Sequence, residues 1–200
     1  MIINVYGSQG SGKTLYLVKK GKEAFDAGMQ VYSNFGLKFK HKLLEFEDLK
    51  ECKLFNAVVL LDEAHLWGLD ARSSGSKTNK LLVKKFIVQV RKQDVTLYTA
   101  TQLPRQLDVR VRENSDYIIY CKKYALKGTN LIEIVQSEHY PKAIRMIVEV
   151  NVIRSFDYKE GKTYFLANTY YDYYDTTEVI QLIEDDEKNT TKKIDKEKAA

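Results

Sequence analysis

Apolar residues along the chain fall into short continuous runs divided by glycine-rich and charged breaks, the pattern of strands buried on both faces rather than half-exposed ones. Met1–Tyr6 is too short for a helix and rich in strand formers. Met29–Asn34, Ala57–Leu61, Val95–Gln102 and Ser115–Lys122 follow as further strands. Leu15–Phe25 reads as a helix that ends near Ala27, with Gly28 as its C-terminal cap. Lys38–Lys53 is polar and helical in character, with Leu44, Phe46 and Leu49 as its apolar face. Leu82, Phe86 and Val90 recur every four residues, so that stretch is an amphipathic helix. Beyond residue 123 the character changes. Leu131–Ser137, Ala143–Ile153 and Thr163–Asn168 read as strands, separated by turns at Lys127-Gly128 and Glu160-Gly161. Residues 184–200 are charged and nearly free of apolar side chains, the composition of a disordered tail. The expected class is α/β, a mainly parallel sheet flanked by helices (residues 1–123) with a small β-rich C-terminal extension (124–183) and the charged tail (184–200).

Between the first strand and the first helix lies Gly7-Ser8-Gln9-Gly10-Ser11-Gly12-Lys13-Thr14, which fits GxxxxGK[ST] at every fixed position. Strand, glycine-rich loop and helix is the context in which that motif binds a triphosphate. Gly7, Gly10, Ser11 and Gly12 let backbone N–H groups and the helix N-terminus face the α- and β-phosphates. Lys13 reaches the β- and γ-phosphates, and the Thr14 hydroxyl is a ligand for Mg²⁺. A glycine- and serine-rich turn that merely carries a lysine is the plain alternative. ATP with Mg²⁺ is therefore the expected ligand.

The run Ala57–Leu61 delivers Asp62 and Glu63 at its C-terminal end, the Walker B pattern. Asp62 suits the Mg²⁺ hydration shell, and Glu63 suits the base that orients and deprotonates water. A helix-capping acid pair after a buried strand is the competing reading. Thr101-Gln102 ends the next strand, where Gln102 can sense the γ-phosphate or the water. Gly68–Asn79 reads as a mobile loop. From Ala71 to Gln93 there is no acidic residue, while Arg72, Lys77, Lys80, Lys84 and Lys85 are present, with Arg91 and Lys92 after them. That is either a phosphate-tracking surface or a solvated helix face, and the missing acids favour binding. Tyr170–Thr177 is rich in tyrosine; the rings suit base stacking, but packing against the sheet is the commoner use.

Composition adds limits. The 200 residues suit one sizeable domain with an appendage, and a net charge of +5 permits an anionic partner. Cys52 and Cys121 are isolated, as are His41, His65 and His139, so neither a disulfide framework nor a zinc site is expected. No leader precedes the first strand, and the apolar runs fall short of the ~20 residues that span a bilayer. A soluble protein with no transmembrane segment is the expectation.

Taken together, Gly7–Thr14, Val31–Asn34, Leu60–Glu63, Tyr98–Gln102 and, more weakly, Tyr174-Asp175-Thr176 resemble the P-loop ATPases that carry an added strand between the two Walker segments. Within these the chain looks most like the FtsK/HerA branch with its viral genome-packaging ATPases, and is also close to the zonula occludens toxin-like assembly ATPases of filamentous phages. The resemblance covers residues 1–123. It implies a RecA-like sheet, hydrolysis of ATP, translocation of double-stranded DNA, and a homo-oligomeric ring, usually a hexamer. It also implies a capsid or membrane docking protein as a partner, and a place in the host cytoplasm or the virion. A trans-acting arginine completes the neighbouring site in such rings; Arg91 matches the usual position, with Arg110 and Arg112 as rivals. The phage assembly proteins carry a transmembrane segment after the ATPase part, which favours the packaging motor here.

Other classes remain in view. Thymidine kinases pair a P-loop with an Asp-Glu-Ala segment like Asp62-Glu63-Ala64, but two cysteines cannot build their four-cysteine zinc lobe. Asp62-Glu63-Ala64-His65 also spells a helicase motif, but such enzymes need two tandem domains. A non-catalytic, ATP-dependent scaffold is the third alternative.

Overall fold

A strand covered on both faces is mostly apolar, and a polar side chain inside it finds a partner, as the Thr99 hydroxyl does in donating to Asn4 Oδ1 at 2.7 Å. In a computed structural model, which describes residues 1–73, 82–126, 145–154 and 160–175, β1 (Ile2–Tyr6) and β4 (Ala57–Leu61) are buried at every position. β5 (Val95–Thr101) is buried at all but Thr96. With β2 (Gln30–Ser33), β3 (Lys42–Leu43), β6 (Tyr117–Leu126), β7 (Arg145–Arg154) and β8 (Glu160–Leu166) they form one sheet in the order β3-β2-β4-β5-β1-β6-β7-β8. All pairings from β3 to β6 are parallel; β6–β7 and β7–β8 are antiparallel.

The order matters more than the count. β5 lies between β1 and β4, with Tyr6 opposite Thr101 and Leu61 opposite Thr99. Three parallel strands thus finish at one edge, and the loops after Tyr6, Leu61 and Thr101 leave side by side. That edge is where open parallel sheets place their ligands.

Two layers cover the sheet. On one face α1 (Lys13–Asp26) buries Leu15, Tyr16, Leu17 and Val18 against Ile3, Val5, Val58, Leu60 and Ala100. Each such side chain taken fully out of water stabilises the fold by about 1.5–3 kcal/mol. On the other face α2 (Phe46–Lys50), a π-helical turn over Leu82–Ile87 and α3 (Val109–Glu113) pack on Ile2, Tyr6, Val59, Leu61 and Leu97.

The expected helix over 38–53 is instead the short strand β3, an exposed pair of residues, and the five residues of α2. Glu45 and Asp48 cap α2 reciprocally, and only Leu49 within it is buried, so Leu44 and Phe46 are not part of one helical face. The predicted helix at Leu82, Phe86 and Val90 is present and these three residues are buried, but its first turn is wound as a π-helix.

The strands after residue 123 pair with the same sheet. β6 runs through the expected boundary to Leu126, and β7 lies along its full length. Val148 and Val150 of β7 sit in the same core cluster as Leu15, Tyr16, Leu17 and Val18 of α1. The strand expected at 131–137, the turn at 127–128 and the tail 184–200 lie outside the described residues.

Beyond β8, single 3-10 turns at Ala167–Thr169 and Tyr171–Tyr173 carry the chain back across α1. Tyr16 and Tyr170 meet Phe165 with ring centroids 6.4 and 5.5 Å away, and Tyr173 meets Phe39 at 6.1 Å. The tyrosine-rich stretch is therefore packed, as the commoner reading has it. Among the described residues no helix is long and apolar enough to cross a membrane.

Candidate nucleotide site

The loop between β1 and α1 is shaped by glycines that no other residue could replace at two points. A Cβ on Gly7 would stand 2.7 Å from the Cys121 carbonyl oxygen. Gly12, the residue before α1, has φ 93° and ψ 18°, and a Cβ there would stand 2.7 Å from Cγ2 of Val148. The first turn of α1 has no side-chain cap and no acidic residue. Its N–H groups and dipole are left facing the loop, the arrangement that favours a bound anion.

Lys13 is 6% exposed, and its ammonium donates to the carbonyls of Gly7 at 3.0 Å and Ser8 at 3.1 Å. The loop thus holds its own cation in the middle of its curve. The buried Ser11 hydroxyl has no hydrogen-bond partner among the described residues. An unpartnered buried hydroxyl and a centred ammonium are what a phosphate would satisfy.

Across the edge of the sheet, the Thr14 hydroxyl donates to Asp62 Oδ2 at 2.6 Å. Asp62 is 7% exposed; burial pushes its carboxyl up, opposed by the Thr14 hydroxyl, the Glu63 N–H and the Lys13 charge. Its other oxygen accepts from the Glu63 N–H at 3.0 Å. The side chain of Asn34, one residue past β2, grips the backbone of Asp62 at both ends. Asn34 Nδ2 donates to the Asp62 carbonyl, and the Asp62 N–H donates to Asn34 Oδ1, each at 2.8 Å. A hydroxyl and a carboxylate at hydrogen-bond distance are hard oxygen donors that fit a small cation completed by phosphate and water. Among the described residues no group of three or more His, Cys, Asp or Glu could enclose a metal by itself.

Glu63 has the left-handed backbone angles φ 45° and ψ 48°, an uncommon conformation for this residue type. Burial raises its carboxyl above the usual range, the Asp62 charge adds to this, and Lys13 and His65 oppose it. Its Oε2 lies 3.5 Å from His65 Nδ1, and neither atom has a hydrogen-bond partner among the described residues. A glutamate with raised proton affinity and a free oxygen can accept a proton from water. Gln102 is exposed and lies one residue past the end of β5, the strand between β1 and β4.

The arginines separate. Arg91 pairs with Asp116, whose other oxygen accepts from the Ile2 N–H at the start of β1, so Arg91 stands at the opposite edge of the sheet. Arg110 forks onto Asp108 with Nε at 2.8 Å and Nη2 at 2.6 Å. Arg112 donates from Nε to the Leu107 carbonyl at 3.2 Å. Arg72 is exposed and, with His65, Asp70, Leu103, Arg105 and Gln106, lines a cavity of about 500 Å³. Lys85 is exposed on the π-helical turn. Lys77 and Lys80 lie outside the described residues, as does the side chain of Lys84.

Sequence reasoning assigned no role to Asn34 or His65. Asn34 was detectable only as a polar end to a short strand, and its purpose depends on β2 lying beside β4 with Ser33 opposite Leu60.

No protein-family model and no curated protein matches the sequence. Solved structures do. The N-terminal domain of zonular occludens toxin from Neisseria meningitidis is similar at 21% identity and a TM-score of 0.51, over 87% of this chain and 98% of that one. The genome packaging NTPase B204 from Sulfolobus turreted icosahedral virus 2, in complex with ATP-gammaS, is similar at 13% identity and a TM-score of 0.52, over 81% and 96%. The same NTPase in complex with AMP gives the same values. The chain therefore shares the fold of these two proteins, a mixed α/β sheet flanked by helices.

Proposed function

We propose that the chain is a Mg²⁺-dependent P-loop ATPase with a RecA-like sheet, and that it works as a ring motor on double-stranded DNA in viral genome packaging. The observation that carries the ATPase part is the 2.6 Å contact between Thr14 and Asp62, which joins the two Walker segments at one point. A fold shared with a packaging NTPase solved with ATP-gammaS supports the same reading.

Each residue has a task. Backbone N–H groups of Gly7–Thr14 hold the α- and β-phosphates, and Lys13 leaves the Gly7 and Ser8 carbonyls for the β- and γ-phosphates. Thr14 and Asp62 hold Mg²⁺, which when bound neutralises charge on the β- and γ-phosphoryl oxygens. Glu63 accepts the proton of the attacking water as its oxygen bonds to the γ-phosphorus and the β–γ bridging oxygen leaves with ADP. Gln102 orients that water.

For the ring, Arg91, Arg110 and Arg112 are the candidates for the arginine that reaches a neighbour's site. Subunits that lack it should regain activity when mixed with subunits that lack Glu63, since each supplies what the other misses. For DNA, Arg72, Lys77, Lys80, Lys84 and Lys85 form the contact set, supported by the acid-free stretch and a net charge of +5. Six subunits, a capsid or membrane docking partner, and a site in the host cytoplasm or virion complete the proposal.

The likeness to the zonular occludens toxin domain, which reaches across 98% of that structure, favours a second reading, an ATPase of phage assembly. Turnover with and without duplex DNA separates the two. Duplex DNA at low salt should raise ATP turnover several-fold and lose that effect steeply with added salt. Glu63→Gln should abolish turnover and keep nucleotide binding. No response to DNA overturns the translocase; unchanged turnover in Glu63→Gln overturns the assigned base.

A further inference from the structure

The segment after β8 runs to the loop that leaves β2. Aromatic rings of β8 and of this segment lie over α1: Lys19 stands 5.9 Å above the ring of Phe165, and Lys22 stands 5.6 Å above that of Tyr173. The strap then meets the loop after β2. The Lys38 N–H donates to the Tyr173 carbonyl at 2.7 Å, and Leu37 and Tyr174 form an antiparallel bridge. Both side chains of that bridge are 8% exposed, and Phe35 in the same loop is 4% exposed. At its other end this loop begins with Asn34, whose amide holds both the N–H and the carbonyl of Asp62. The Tyr174 phenol is pushed up to about 12, chiefly by burial, then by Tyr171 and by the Asp62 charge.

Building on the ATPase reading, we propose that Tyr174 is a positioning residue for the metal site. Its ring anchors the strap on the 34–38 loop, and that loop, through Asn34, holds Asp62 within reach of Thr14. The link runs from the Tyr174 bridge along the chain from Leu37 to Asn34 and then through two hydrogen bonds to Asp62, a contiguous path that can carry coupling. Residues that support a ligand without touching the metal carry a substantial part of its affinity. The ring, not the hydroxyl, does this, since no hydrogen bond from the phenol is required to fix the backbone bridge.

The test uses the full chain and a fluorescent methylanthraniloyl ATP analogue, titrated with Mg²⁺. Tyr174→Ala should raise the Mg²⁺ concentration for half-maximal binding of the metal-dependent form by about tenfold, the low end for lost support around a metal ligand. Affinity for the analogue in EDTA should stay at the wild-type value, because the glycine loop is untouched. Tyr174→Phe should restore the wild-type Mg²⁺ response. Asn34→Ala should give the same shift, and the double variant should be no worse than either single one, as expected for one chain of contacts. Asn34→Ser carries the comparison if Tyr174→Ala folds poorly. An unchanged Mg²⁺ midpoint in Tyr174→Ala, or an equal loss of binding in EDTA, overturns the proposal. A wild type that binds the Mg²⁺ analogue but never hydrolyses ATP overturns the ATPase reading and leaves the strap standing; a wild type that binds no nucleotide overturns both.

Discussion

The hydroxyl of Thr14 and the carboxylate of Asp62, 48 residues apart in the chain, meet at 2.6 Å across the edge of the sheet. The contact follows from strand order: β5 separates β1 from β4, and the parallel register brings the ends of all three to one line. A hydroxyl keeps its lone pairs while it donates its proton, so Thr14 can offer its oxygen to a cation from where it stands.

Asp62 and Glu63 make the site a load on the fold. Both carboxyls bind protons more tightly in the folded chain than in the unfolded one, chiefly because of burial. Such groups support folding fully below the ordinary carboxylate range, and that support is lost as pH rises through the raised folded values. Above those raised values the ionised pair therefore opposes folding. Asp62→Asn should raise the melting midpoint of the nucleotide-free protein, by about 2–4 °C for each kcal/mol relieved in a chain of this size. The gain over wild type should shrink as pH falls through the carboxyl titration, and Mg²⁺-dependent nucleotide binding should vanish. Thermal melts at several pH values check both.

Gly12 is enclosed by a strand from the far end of the chain. Gly12→Ala meets Val148 Cγ2 and also needs a left-handed backbone, which costs about 1–2 kcal/mol in a residue with a Cβ. Nucleotide affinity should fall by tenfold or more, since about 1.4 kcal/mol is a factor of ten. Val148→Ala added to Gly12→Ala should recover the part due to collision and leave the part due to φ. Titration of the analogue in the two variants reads this directly.

Arg110 is held to structure. Asp108, 1% exposed, caps α3 through the Arg110 N–H and takes the Arg110 guanidinium on both oxygens. Loss of hydrogen bonds to a charged, buried group is worth about 1.5–3 kcal/mol. Arg110→Ala should lower the unfolding free energy by up to that amount, whereas Arg112→Ala, which loses one bond to the Leu107 carbonyl, should lower it less. Chemical denaturation of the two variants makes the comparison.

The site was readable where chemistry and position coincide. Gly7–Thr14 needs particular residue types at fixed spacing, and Asp62-Glu63 follows a run with no polar residue, so both stand out in one dimension. β3 did not, because a pair of exposed residues, Lys42 and Leu43, carries no pattern. The alternation of Leu44, Phe46 and Leu49 read as a helical face when it belongs partly to a loop. The strap was legible only as composition: nothing in Tyr170–Tyr174 tells that the chain doubles back to β2, since a long-range bridge such as Leu37 to Tyr174 leaves no local trace. Asn34 escaped for the same reason, its partner being 28 residues away.

The central claim is that the glycine loop and the Asp62 segment serve one metal-bound triphosphate, and a structure with Mg²⁺ and a non-hydrolysable ATP analogue tests it. The account predicts Mg²⁺ at about 2.1 Å from the Thr14 hydroxyl, with Asp62 reaching it directly or through one water and Lys13 turned from the Gly7 and Ser8 carbonyls to phosphate. A bound analogue beside an intact Thr14–Asp62 hydrogen bond, with the metal held elsewhere, would contradict it.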